Sequence, residues 1–109
     1  MIHITVSPKK LQLRIKGHAD YAEPGKDIIC ASVSYAFYNL CQVMTDYTEL
    51  GLLCKAPKMK DCSGNSFIEV IPKKEYEKNV QIVFSVIARG LEVLASNYPE
   101  FVDFRLLEY

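Results

Sequence analysis

Leu11-Gln12-Leu13-Arg14-Ile15-Lys16-Gly17 alternates apolar with polar residues, and beyond residues 18–26 the period changes at Asp27-Ile28-Ile29-Cys30-Ala31-Ser32-Val33. A period of two lines up side chains on one face of a strand, whereas spacings of three and four line them up on a helix. The switch marks a half-buried strand, a loop and the start of a helix. Upstream, Ile2-His3-Ile4-Thr5-Val6 alternates in the same way and Ser7-Pro8-Lys9-Lys10 supplies a turn, so 2–6 and 11–17 are expected to pair as a hairpin.

Asp27 is a good N-cap, and from it Ile29, Val33, Ala36, Phe37, Leu40, Val43, Met44 and Tyr47 share one helical face until Gly51 closes the helix. Residues 52–59 and 66–71 suggest a second hairpin turning at 60–65. A second helix is expected over 74–97, with Tyr76, Val80, Val83, Phe84, Ile87, Leu91, Leu94 and Tyr98 inward. Pro99 ends it, and 101–107 alternates as a last strand. The order ββαββαβ predicts an α+β two-layer sandwich, two helices packed on one mixed or antiparallel sheet, with 1–109 as a single domain.

Half of the residues are hydrophobic, enough for a core without disulfide or metal staples, and 13 basic residues balance 13 acidic ones. Zero net charge argues against nucleic-acid binding through bulk charge. The regular alternation of the first residues and the early Pro8 do not suit a signal peptide. Gln81, Arg89 and Glu92 interrupt the apolar run 80–94, so no membrane span is expected and a cytoplasmic location is. There Cys30, Cys41, Cys54 and Cys62 are expected as thiols. With no C-x-x-C pair and only His3 and His18, neither a metal nor a cofactor is expected.

The chemistry concentrates at residues 17–34. Cys30 is the third residue of the expected helix, where unpaired N–H groups and the helix dipole favour a thiolate. Cys41 lies three turns along nearly the same line, without terminal N–H groups, and Cys54 and Cys62 fall in the second hairpin. His18 ends a strand that leads towards the helix start, so it is the candidate base for Cys30, with backbone N–H groups of Cys30 and its neighbours as oxyanion donors. Asp27 either only caps the helix or also orients His18; Asp20 is a weaker candidate for the second task. The Ser34 hydroxyl, one turn beyond Cys30, either serves the site or bonds back to a helix carbonyl. Pro24 and Gly25 give the intervening loop the composition of either a lid or an ordinary surface loop.

Gly17-His18-Ala19, Gly25, Asp27-Ile28, Cys30-Ala31 and Ser34 together resemble the motif of the ribosomal-processing cysteine protease family, with Ile29 where that family usually has Val. The resemblance implies a two-layer domain, a homodimer, and His18 and Cys30 as a catalytic dyad supported by Gly17, Gly25, Asp27 and Ser34. It also implies a substrate, the N-terminal extension of a large-subunit ribosomal protein precursor cut beside a Phe, or a phage capsid or scaffold protein. Ile82, Val86 and Val93, opposite the inner stripe of the second helix, are either scattered exposed residues or a homodimer seam. The rival to a protease is a non-catalytic ribosome-associated module binding RNA through Lys55, Lys58, Lys60, Lys73 and Lys74. A thiol-redox enzyme is less consistent with a Cys30 that has no resolving cysteine close by in sequence.

Overall fold

The computed structural model describes residues 1–23 and 27–107. Strands β1 (Ile2–Ser7) and β2 (Gln12–Lys16) form the first hairpin, helix α1 spans Ile28–Glu49, and β3 (Lys58–Cys62) and β4 (Asn65–Glu69) form the second hairpin. A 3-10 turn at Lys74–Tyr76 leads into α2 (Glu77–Asn97), and β5 (Val102–Leu106) ends the fold. The strands lie in the order β3-β4-β2-β1-β5, antiparallel except for β1 against β5. Two helices on a five-stranded mixed sheet make the α+β sandwich expected from the sequence.

The alternating patterns set which sheet face is dry. Ile4 pairs with Ile15 and with Phe104, Val6 with Leu13, and Leu13 with Ile68. These apolar partners line one face, with Ile4, Val6, Leu13 and Ile68 fully buried. His3, Thr5 and Arg14 occupy alternate positions; Arg14 stacks over Phe67, 4.6 Å from the ring centroid. Against the dry face α1 lays Ile29, Val33, Phe37, Leu40 and Met44, and α2 lays Val80, Phe84 and Leu91. Ala36, Val43, Tyr47, Val83, Ile87, Leu94 and Tyr98 pack at the margins of these stripes. Each large side chain so buried contributes about 1.5–3 kcal/mol before the entropy of ordering is subtracted.

Two boundaries differ from expectation. Residues 52–57 are not strand: only an isolated bridge joins Leu53 to Pro72, and β3 starts at Lys58. The expected six-residue turn is instead largely strand, because Cys62 pairs with Asn65 around Ser63-Gly64 and Gly64 takes φ +73°, the left-handed conformation a tight hairpin requires. The exposed pattern of β3 hides this, for an edge strand with no buried residue carries no alternation. Leu11 likewise belongs to the turn before β2, buried with φ +52°.

By length and composition alone, α1 and the stretch Lys74–Asn97 would each suffice to cross a membrane, contrary to the expectation drawn from the charges in 80–94. Both instead cover the sheet with their apolar stripes, as core helices of a sandwich do. The basic residues Lys55, Lys58, Lys60, Lys73 and Lys74 are exposed around the second hairpin.

Candidate active site

Asp27 organises the first turn of α1. With extended backbone (φ −81°, ψ 98°), its Oδ1 accepts from the amides of Ile29 at 3.0 Å and Cys30 at 2.9 Å. Its other oxygen, Oδ2, accepts from the amides of Tyr21 at 3.0 Å and Ala22 at 3.4 Å. The Cys30 amide foremost, opposed by some desolvation and joined by the Tyr21 and Ala22 amides, holds this carboxyl below its ordinary 3.8. One carboxylate thus ties the strand-to-helix loop to the helix start.

That tie aims the loop at the sulfur. Ala19 is buried and its N–H donates to Cys30 Sγ at 3.5 Å, while Asp20 turns the chain with φ +55°. Tyr21 pins the other side, its ring edge-on to Tyr98 and Phe101 with centroids 6.1 and 5.1 Å away. The half-buried Cys30 therefore has a backbone donor from outside its own helix as well as the end of the helix behind it.

Glycines place the imidazole. Gly17, just before His18, donates its N–H to the Gly64 carbonyl at 2.9 Å and has φ +92°. A Cβ there would stand 2.3 Å from the Met1 carbonyl oxygen, so no other residue fits without moving the backbone. At Gly64 a Cβ would stand 2.8 Å from His18 Nε2. The ring rests where the hairpin turn has no side chain.

Cys30, His18, Ser34 and Ser63 are shared walls of two adjoining cavities. One, of about 190 Å³, is lined on its apolar side by Ile2, Ile15, Val33 and Phe37 and on its polar side by Tyr38, Asp61, Cys62 and Ser66. The other, of about 640 Å³, opens over Asp20, Ala22, Asp27 and Ala31. An extended chain laid across the sulfur would have space on both sides of it. Ser34 forms no hydrogen bond among the described residues; the serine that bonds back to a carbonyl is Ser32, to Ile28 at 2.7 Å.

His18, Cys30 and Ser34 line both cavities, Asp27 the larger and Gly17 the smaller, and Gly25 lies outside the described residues, as do Pro24 and Lys26. Two expectations change, and the two roles left open for Asp27 narrow to one. The amides of Ile29, Cys30 and Ala31 cannot serve as oxyanion donors, because Asp27 engages all three, the last through its carbonyl at 3.1 Å. Asp27 gives its oxygens to backbone amides, so its geometry is that of a cap and loop clamp, with no bond to His18 among the described residues. Cys62, expected to lie in an uninvolved hairpin, lines the smaller cavity. The second hairpin also supplies Asp61, Ser63 and Gly64, and α1 supplies Tyr38, none of them singled out in the sequence. The Ser63-Gly64 dipeptide was the available signal, a turn marker; nothing local connects it to residue 18.

Cys41 is the other half-buried thiol. Burial first, and the Asp61 charge second, push it up to about 11. All four cysteines are free.

Comparison with known proteins gives the same architecture and a family. Over 98% of its length the chain matches a crystal structure of an essential ribosomal processing protease Prp from S. aureus, bound to a covalently linked product peptide, with a TM-score of 0.77 and 21% identity across that whole chain. It is 32% identical over 104 residues to the ribosomal processing cysteine protease Prp of Mycoplasma genitalium, covering 94% of this chain and 92% of that one. The corresponding protein of Mycoplasma pneumoniae is also 32% identical, over 114 residues that cover 95% of this chain and 93% of the relative. The family model described as cysteine protease Prp matches residues 1–103. A chain that matches this model and these relatives over nearly its full length belongs to the ribosomal-processing cysteine protease family.

Proposed function

We propose that Cys30 and His18 cleave the N-terminal extension from a large-subunit ribosomal protein precursor in the cytoplasm. The observation that carries the dyad is their shared position on both cavity walls, with the Ala19 N–H directed at the sulfur. His18 takes the thiol proton, and the sulfur attacks the scissile carbonyl carbon. The tetrahedral intermediate collapses as His18 returns the proton to the leaving amine, leaving a thioester on Cys30. A water deprotonated by His18 then attacks the thioester and frees the new carboxylate and the enzyme. Ser34, on the wall shared by both cavities, donates to the oxyanion in the role that the capped amides cannot fill. Asp27 and Gly17 position rather than react.

The ribosomal substrate is supported by the names of the Mycoplasma relatives, and peptide cleavage through a covalent enzyme by the product peptide linked to the S. aureus protein. Cleavage beside a Phe suits the apolar wall of Val33 and Phe37 next to Cys30. The test is mass spectrometry of a peptide carrying such an extension. Wild type is expected to release a single product pair, and Cys30→Ala and His18→Ala none, with unchanged circular dichroism; full cleavage by Cys30→Ala would refute the assignment.

The enzyme acts as a homodimer joined through α2. Ile82, Val86 and Val93, on one side of that helix, are 57%, 65% and 47% exposed. Ile82 also borders an apolar cavity of about 500 Å³ shared with Phe104 and Leu106 of β5. Sedimentation velocity at micromolar concentration is expected to show a dimer that Val86→Glu splits; a wild-type monomer would remove this seam.

A further inference from the structure

The smaller cavity has a second end. Cys30, Ser34 and Tyr38 follow one another at intervals of four along α1, and all three line it. From Cys30 to Tyr38 the helix rises about 12 Å, at about 1.5 Å per residue. An extended peptide covers that distance in about three or four residues. Whatever sits at the Tyr38 end is therefore separate from the residue held at the scissile bond.

Asp61 of β3 stands at that end. Its Oδ1 accepts from Ser66 Oγ at 3.1 Å, which fixes one oxygen and leaves the carboxylate in the cavity wall. A hydrogen bond to Asp61 first, and the Asp61 charge second, raise the Tyr38 phenol, and the same charge adds to burial in raising the Cys41 thiol. Among the described residues it has no ion-pair partner, and no Lys or Arg lines either cavity. A carboxylate in the wall of a cavity that also has apolar lining suits a side chain with an aliphatic stem and a cationic tip.

We propose that Asp61 is a specificity-determining residue that selects a Lys or Arg about three or four positions from the scissile bond of the substrate. This rests on the protease reading of the same site and narrows its substrate class to a segment with an apolar residue at the cut and a basic residue a few positions away. Proteins that bind ribosomal RNA carry abundant Lys and Arg for phosphate contacts, so such a segment is compatible with a ribosomal precursor.

The test uses synthetic peptides with a Phe at the scissile position and one Lys moved through the four positions on either side, each paired with a Gln version. Wild type is expected to prefer Lys over Gln at one position by roughly three- to tenfold in kcat/KM, the range for a solvent-accessible charge pair with hydrogen bonding. The preference should shrink as salt is raised. Asp61→Asn should bring the Lys-to-Gln ratio close to one, whatever its effect on the overall rate. Asp61→Lys should favour a Glu at that position instead. A purely structural Asp61 would change all peptides alike and leave the ratio intact, and that result would overturn the proposal. Equal cleavage of every Lys and Gln pair by wild type would overturn it as well, without touching the protease reading, which falls only if wild type cleaves none of the peptides.

Discussion

Cys30 and Cys41 are carried by the same helix, both half-buried and three turns apart, in opposite chemical settings. Cys30 sits in the first turn, with the Ala19 amide at its sulfur and His18 on the same cavity walls. Cys41 sits mid-helix, where burial and the Asp61 charge keep its thiol protonated up to about 11. The two share a burial class, and the surroundings of the sulfur differ: a helix start, an N–H donor and an imidazole at Cys30, desolvation and a nearby carboxylate at Cys41.

The largest effect expected from this contrast is in turnover. Cys30→Ala should lower cleavage by about 10⁴-fold or more, the scale on which loss of a nucleophile acts, whereas Cys41→Ala should stay within about threefold of wild type. Timed mass spectrometry of product release measures both, and comparable losses in the two variants would erase the distinction. A smaller effect is expected in thiol chemistry. At pH 8, alkylation followed by peptide mapping should find Cys41 at least about 100-fold slower than exposed Cys54, because a thiol near 11 leaves about one molecule in a thousand ionised. Asp61→Asn should quicken Cys41 somewhat, since one of the two influences on it is removed.

Substituting the turn behind the imidazole should cost less than removing either member of the proposed dyad. Gly64→Ala puts a methyl 2.8 Å from His18 Nε2 at a φ of +73°, and is expected to lower kcat by about tenfold through a displaced ring. An unchanged kcat would show that the ring does not need its place on the turn. The smallest effect is on stability in acid. Folding favours the ionised Asp27, whose carboxyl lies below 3.8, so its contribution is complete above that pH and is lost as pH falls through the folded value. The difference in urea midpoint between wild type and Asp27→Asn should therefore be greatest near neutrality and narrow below pH 3.8.

The first hairpin and α1 were legible because local order and tertiary role agree there. Ile2, Ile4, Val6, Leu13 and Ile15 repeat by two and are buried, and Asp27 is both the residue preferred at a cap and the one that caps. The second hairpin was misplaced by several residues for the opposite reason. Lys58-Met59-Lys60-Asp61-Cys62 is an edge strand exposed at every position, so burial leaves no trace in its sequence. Of the candidate site, Cys30, His18, Asp27, Ser34 and Gly17 stood in a continuous motif, while Asp61, Cys62, Ser63 and Gly64 stood in that unreadable hairpin.

The amino-acid order alone was enough for the two-layer architecture and for the helix start that carries Cys30, and it singled out Cys30 and His18 as the candidate pair. Those depend on periodicity and on contacts between near neighbours, both written locally. Only the folded chain decided that Ala19 would turn its N–H to the sulfur and that Gly64 would lie under His18. The second follows from strands distant in sequence being laid side by side, because β2 pairs with β4 and so brings Lys16 against Asn65 and the second turn against the first loop.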